Sequence, residues 1–392
     1  MDSQAQAAAF SRKEIGLGNW RTYPYCTWTF QNVSEFVPSA EIASSGHDEP
    51  AVQGTAEVLT DLQLAGRQGT TTLLQHLENS HADSFVLMRD GEVLVEWHAA
   101  HVEPSRPHLV FSISKSITGI LAGIAIGDGL LDPDAPVSRY VEVLSGAYAD
   151  ATVRHLLDMT VALDFEEDYL DRNGAFDRYR RAMLWNPERP DTGPEALEDV
   201  LVSLPRSAGR HGELFFYASP NTDMLGLVIE RATGIRYHRY LAERLWQPMG
   251  AKGSAQVTVD RAGTARAAGG ISVTARDLAR LGQLVLDSGR TADGRQVVPQ
   301  DWIDDMRRNG DRQAWLGGSF LATFPEGRYR SSWYQAGDDH DCFAADGIHG
   351  QRLWVDPVTR IVAVKFSSQP NPADDEGTIL DFSIMAQVAR AF

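Results

Sequence analysis

Residues 111–131, reading FSISKSITGILAGIAIGDGLL, constrain the fold more than any other part of this chain. Ile113, Ile117, Ile120, Leu121 and Ile124 recur at helical spacing, and most positions between them are also small or apolar. The predicted helix therefore has no broad polar face to turn toward water and must be covered nearly all round. Gly127 and Gly129 stop it. The most apolar part, Ile117 to Ile126, is about half the ~20 residues that cross a bilayer. The segment is thus expected to be a central helix buried between other layers.

Supplying those layers is within reach of the chain. Its 392 residues amount to roughly two to three domains, or one large core carrying an inserted subdomain. The formal net charge is −17 with no long basic run, which argues against nucleic acid and against a membrane surface as partners. Met1 to Phe10 lack a charged region followed by an apolar one, so no signal peptide is expected and a cytoplasmic location is inferred. Cys26 and Cys342 lie far apart with no metal-like spacing, and two reduced, inert thiols are expected.

The first 80 residues read as an irregular N-terminal extension, with Pro24, Pro38, Pro50 and Ser44-Ser45-Gly46. Ser84 to Trp97 is the first regular unit, two apolar runs flanking Asp90-Gly91, which predicts a hairpin. Helical patterns follow at Thr152–Met159, Glu195–Ser203, Asn221–Thr233 (closed by Gly234) and Arg276–Leu286. Strands are predicted at Arg352–Val355 and Ile361–Phe366, and a closing helix at Thr378–Phe392. The expected fold is mixed α/β: an antiparallel sheet built from both ends of the chain and flanked by helices, with an inserted all-helical subdomain. Its expected divisions are 1–108 and 270–392 for the two parts of the α/β domain and 109–269 for the helical subdomain.

Chemistry enters at Ser112 and Lys115, an S-x-x-K pair at the start of the buried helix. Positions i and i+3 share a helix face, so the amine can reach the hydroxyl. A serine becomes nucleophilic when a neighbouring base takes its proton, and lysine can be that base when burial lowers its pKa. The same pair also fits a lysine that snorkels to the surface beside a serine cap. Tyr217, in FFYASPN just ahead of a predicted helix, reads either as core filler or as a phenol acidified by Lys115 that shuttles a proton. His98, His101 and His108 sit in and after a strand end without metal-site spacing, and Asp164–Asp168 lacks the glycine of a calcium loop. No metal is expected from either.

The segments FSISKSITGILAGIAIGDGLLDPDAPVSRYV, VRHLLDMTVAL, FFYASPNTDMLGLVIERATG and GGISVTARDLARLGQLVLDSG follow one another in this order. Between about Phe85 and Phe366 the chain resembles the serine β-lactamase and penicillin-binding-protein-like superfamily, in the class C β-lactamase-like branch of carboxylesterases, D-aminopeptidases and nylon-oligomer (6-aminohexanoate-dimer) hydrolases. The resemblance implies an acyl-enzyme on Ser112, activated by Lys115, with Tyr217 as third member and no cofactor. Asp346-Gly347-Ile348-His349-Gly350 stands where the family carries Lys-Thr-Gly. Ile348 is then expected to pair its backbone N–H with that of Ser112 in an oxyanion hole, and His349 to stand in for the strand lysine or to cap the strand. Asp346 puts a negative charge where β-lactamases hold the antibiotic's carboxylate, so β-lactam hydrolysis is not expected.

Similarity to the nylon-oligomer hydrolases further implies Tyr169 as a partner of the leaving nitrogen and Trp185 as an apolar wall. It places Arg180 where efficient forms carry an acid for the substrate ammonium, and Ala268 at a substrate-contact position. The expected function is hydrolysis of a small ester or linear amide. Two other readings stay open: an acyltransferase using the same intermediate, and a non-catalytic binding protein on this scaffold. Nothing in the sequence opposes a homodimer.

Overall fold

The strand Ala82–Arg89 is buried along almost its whole length, and Ile361–Ser367 along all of it, as expected of strands covered on both faces. They pair antiparallel as the second and third strands of a seven-stranded sheet, with Lys365 opposite Phe85 and Ala363 opposite Leu87. The full order is Glu92–His98, Ala82–Arg89, Ile361–Ser367, Gln351–Asp356, Phe343–Gly347, Trp333–Gln335 and Arg328–Arg330. This computed structural model describes residues 10–46, 56–318 and 320–392. Pro50, and all of the Met1–Phe10 segment except Phe10, lie outside the described residues.

The Asp90-Gly91 hairpin forms as predicted, with positive φ at both turn residues (50° and 84°), the pattern whose twist matches that of the flanking strands. One sheet face is covered by the helix Ala275–Leu286, where Gly282 lets the helix sit against Val362 and Leu353. The other is covered by the C-terminal helix Asp375–Arg390, tied down by a buried ion pair between Lys365 and Asp381 at 2.8 Å.

Between the two halves of the sheet the chain is mainly helical. The predicted central helix spans Ile113–Gly127 and is buried from Ile113 through Ala125. It packs against Ser219–Thr233, which carries Pro220 in its first turn and is capped by Gly234 in the left-handed region (φ 68°). The end of this segment contributes the strand Ala255–Thr258 to a small second sheet with Ser39–Ile42, Ile271–Val273 and His108–Leu109.

The N-terminal region differs from its predicted irregular form. It contains the helix Cys26–Thr29, the strand Ser39–Ile42, the strand pair Gln63–Gly66 and Gly69–Thr72, and the helix Leu73–Asn79 capped by Thr72. These elements are too short to show a period in sequence. Both cysteines are buried, unpaired thiols, and burial pushes Cys26 up to about 12. His101 and His108 converge on Asp83 at 2.8 and 3.0 Å, while His98 pairs with Ser84 and Glu96. Among the described residues no helix is long and apolar enough to cross a membrane.

Candidate active site

The approach to Ser112 is fixed by the small sheet. Leu109 pairs with Ser272, and the Val110 N–H donates to the Ile271 carbonyl at 3.0 Å. Phe111 then turns through a positive φ of 45°, a conformation that costs an aromatic residue about 1–3 kcal/mol and that clusters at functional sites. Its ring is held by Phe30, Trp185 and His349, with centroids at 4.9, 6.1 and 5.2 Å. The turn delivers Ser112 as the residue preceding the helix Ile113–Gly127, with its hydroxyl opening on a cleft. The Ser112 N–H has no hydrogen-bond partner among the described residues, as an oxyanion donor requires.

One turn on, the Lys115 amine lies 2.7 Å from Ser112 Oγ and donates to the Ala268 carbonyl at 2.9 Å. Lys115 is only 1% exposed, which disposes of a snorkelling lysine. Burial pulls its pKa down to about 7, with Glu167 the largest opposing charge. The amine is therefore half neutral near pH 7 and can accept the serine proton.

Tyr217 lies beside Lys115, its ring 4.8 Å from the amine, and its hydroxyl is close enough to the Ser112 side chain to feel it. The expected acidified phenol is not found. Burial, reinforced by the charges of Tyr329 and Glu167, drives Tyr217 well above its ordinary value. Tyr217 keeps its proton and is suited to donating one.

Tyr169 and Trp185 reach the same cleft, as does Ile348 at the end of the strand Phe343–Gly347. The Tyr169 hydroxyl donates to Glu167 Oε1 at 2.9 Å, so its oxygen is left to accept. Trp185 is an apolar wall whose indole N–H donates to Thr258 Oγ1 at 3.2 Å. Arg180 also lines the cleft, yet its donors run to the carbonyls of Tyr169 and Asp171 at 3.0 and 2.5 Å. It braces the loop that carries Tyr169.

Two expected substrate contacts are corrected. Ala268 is fully buried and serves through its backbone, its carbonyl taking Lys115 and its N–H donating to Asp223 Oδ1 at 2.8 Å. His349 is also buried; its Nδ1 meets the Gln369 carbonyl at 2.7 Å, and burial lowers its pKa to about 4. A neutral ring packed on Phe30 and Phe111 does not replace a lysine. Nor does Asp346 act as a free anion, since Arg352 pairs with it at 2.6 Å.

Sequence reasoning left out the residues that hold the reactive pair in place. Glu167 accepts the Ser219 N–H at 2.7 Å and the Ser219 hydroxyl at 2.8 Å, joining Tyr169 to the start of the helix Ser219–Thr233. Asp223 pairs with Arg266 and accepts from Tyr179 as well as from Ala268, which fixes the carbonyl that orients Lys115. Arg21 enters the cleft from the N-terminal segment. No local pattern marks any of these four charged residues, because their partners are distant in sequence.

Residues 72–384 match the family model described as Beta-lactamase. The chain is 38% identical over 379 residues to the 6-aminohexanoate-dimer hydrolase of Paenarthrobacter ureafaciens, covering 96% of this chain and 94% of the relative. Among solved structures, a Bacillus anthracis protein assigned as a 6-aminohexanoate-dimer hydrolase superposes with a TM-score of 0.86 at 23% identity, covering 97% of this chain and 98% of the other. EstCE1, a hydrolase with promiscuous acyltransferase activity, superposes with a TM-score of 0.60 at 16% identity, covering 79% and 96%. These two structural likenesses carry the fold alone.

Proposed function

The chain belongs to the beta-lactamase family and is a serine hydrolase of that fold; from this premise we propose that it cleaves a linear amide or carboxylic ester through an acyl-enzyme on Ser112. The observation that carries the reading is the 2.7 Å contact between Ser112 Oγ and a buried amine whose pKa is about 7.

Lys115 takes the Ser112 proton as Oγ attacks the substrate carbonyl. The N–H groups of Ser112 and Ile348 hold the oxyanion that forms. Tyr217 gives its proton to the leaving nitrogen or oxygen and is re-protonated from Lys115, so the proton lost by serine leaves with the amine or alcohol. Water then enters; its proton returns through the same pair to Ser112 Oγ, and the acid is released. Tyr169, with its own proton committed to Glu167, accepts a hydrogen bond from the leaving N–H.

Exposure to a short-chain nitrophenyl ester should leave one acyl group, and peptide mapping should place it on Ser112; an adduct elsewhere, or none on folded protein, would overturn this function. A companion test addresses Tyr169. Tyr169→Phe removes the acceptor oxygen, so amide turnover should fall roughly tenfold more than ester turnover. Equal losses on the two substrates would remove Tyr169 from the leaving-group site.

Acyl transfer is the second reading. Phe111 and Trp185 wall the cleft with apolar surface, which favours an organic nucleophile over water. Product analysis with an activated ester and millimolar amine separates the two: amide formed in excess over free acid would convert the assignment to a transferase.

A further inference from the structure

The cleft that opens on Ser112 carries a charge imbalance of the opposite sign to the whole chain. Acidic residues outnumber basic ones, 53 to 36, and several buried or half-buried arginines elsewhere pair with carboxylates: Arg276 with Glu96, Arg330 with Asp158 and Asp305, Arg352 with Asp346. Arg21 and Arg180 do not. Arg21 donates to the Trp185 carbonyl at 2.8 Å and to Asn186 Oδ1 at 2.6 Å, and Arg180 to two backbone carbonyls. All four acceptors are neutral, and among the described residues neither guanidinium has a carboxylate within ion-pair distance. Asp177, the nearest anion in effect on Arg180, is already held by Arg181 and Arg189 at 3.0 and 3.2 Å. The Arg180 Nε is buried without a partner.

The other charges at the cleft cancel. Arg266 is paired with Asp223. Glu167 is saturated by Tyr169 and by the N–H and hydroxyl of Ser219, and it faces Lys115. What remains is two guanidinium groups with unused N–H donors beside the nucleophile. Burial first, and then repulsion from Arg180, Arg172 and Arg266, draws the Arg21 pKa down to about 9. A planar carboxylate is the group that such donors hold best.

The direction of the chain follows from the proton donor. Tyr217 serves the leaving group from beside Ser112 and packs on Phe320, centroids 5.1 Å apart; neither of these two rings lines the arginine-bearing cleft, which begins at Ser112 and Tyr169. The acyl half therefore runs along Phe111 and Trp185 toward Arg21 and Arg180.

Building on the acyl-enzyme reading above, we propose that the acyl half of the substrate is a linear chain ending in a carboxylate, bound by Arg21 and Arg180: the substrate is a monoamide or monoester of an aliphatic dicarboxylic acid. Attack by water on the acyl-enzyme then releases the free dicarboxylate, the amine or alcohol having left in the first step.

The test uses three nitrophenyl esters of equal acyl length, from hexanoic acid, 6-aminohexanoic acid and hexanedioic acid as its monoester, with the full chain at low ionic strength. The kcat/KM for the carboxylate ester should exceed that for the neutral ester about tenfold, and the ammonium ester should fall about tenfold below the neutral one. Half-molar salt should compress the series. Arg21→Gln should lower the carboxylate-to-neutral ratio several-fold, and Arg21→Lys should keep more of it. Arg180 is spared as a test position because it also braces Tyr169. An ammonium ester turned over as well as the carboxylate ester, or a ratio unchanged in Arg21→Gln, overturns the proposal while leaving the hydrolase intact. Failure of all three esters to acylate Ser112, read by intact mass, overturns both.

Discussion

Replacing Lys115 by arginine should lower kcat/KM for an activated ester roughly 10³-fold, within the range that a positioned general base contributes. The substitution keeps a cation near Ser112 and removes only the ability to lose a proton. In the wild type, the pH profile of kcat/KM should rise about tenfold per pH unit below 7 and level off above it, because the neutral amine is the reactive form and its pKa is about 7. Tyr217 adds no descending limb near neutrality, since its phenol stays protonated well above 10. Folding stability should carry the same signature. An unfolded lysine holds its proton up to about 10.5 and the folded one releases it near 7, so between those values the unfolded state binds more protons and stability rises with pH. Lys115→Met should remove that slope along with the activity. A Lys115→Arg variant with near-normal kcat/KM, or a profile flat from pH 5 to 8, would strip Lys115 of the base role.

The parts of this molecule legible in its sequence are those whose physics is local. A helix without a polar face has one solution, and Ile113–Gly127 adopts it. The Asp90-Gly91 turn, the Pro220 start and the Gly234 stop are each set by backbone preferences of one or two residues. Ser112 and Lys115 are three positions apart on one helix, so their contact follows from helix geometry alone. What is illegible depends on distant partners. The pKa of Tyr217 is decided by burial and by Tyr329 and Glu167, none of them its sequence neighbours. The position of Arg180 in the chain suggests a charge presented to substrate; that it spends two donors on the Tyr169–Asp171 backbone follows from a loop path that spacing does not encode. Ala268 shows the limit most clearly, since its role lies in a carbonyl and an N–H, atoms that every residue but proline possesses.

Gly119→Ala should destabilise the fold by about 3 kcal/mol, the upper part of the usual range for overpacking a filled core, and should weaken catalysis as well. A methyl at Gly119 would sit 2.3 Å from the Ser331 carbonyl oxygen and 3.0 Å from Ser332 Cβ. Those neighbours are poorly placed to yield. Ser331 donates its N–H to Asp158 at 2.9 Å and its hydroxyl accepts from Arg154 at 2.9 Å, while the Ser332 N–H is bound to the Leu157 carbonyl at 2.9 Å. Ser331 and Ser332 also hold positive φ values of 52° and 67°, conformations kept only where the surroundings enforce them. The helix must therefore move instead, and Ser116, whose hydroxyl donates to the Ser332 carbonyl at 2.7 Å, is displaced with it. Lys115 adjoins Ser116 and Ser112 caps the same helix, so the 2.7 Å contact on which proton transfer depends opens along with the packing. Gly16→Ala is the control: nothing lies within 4 Å of a methyl there and its φ is not in the left-handed region, so a change within about 0.5 kcal/mol is expected. Urea denaturation followed by tryptophan fluorescence, with kcat/KM measured on the same samples in water, decides it; a midpoint for Gly119→Ala equal to that of the control would mean that the helix and the Ser331–Ser332 segment are not in the contact described.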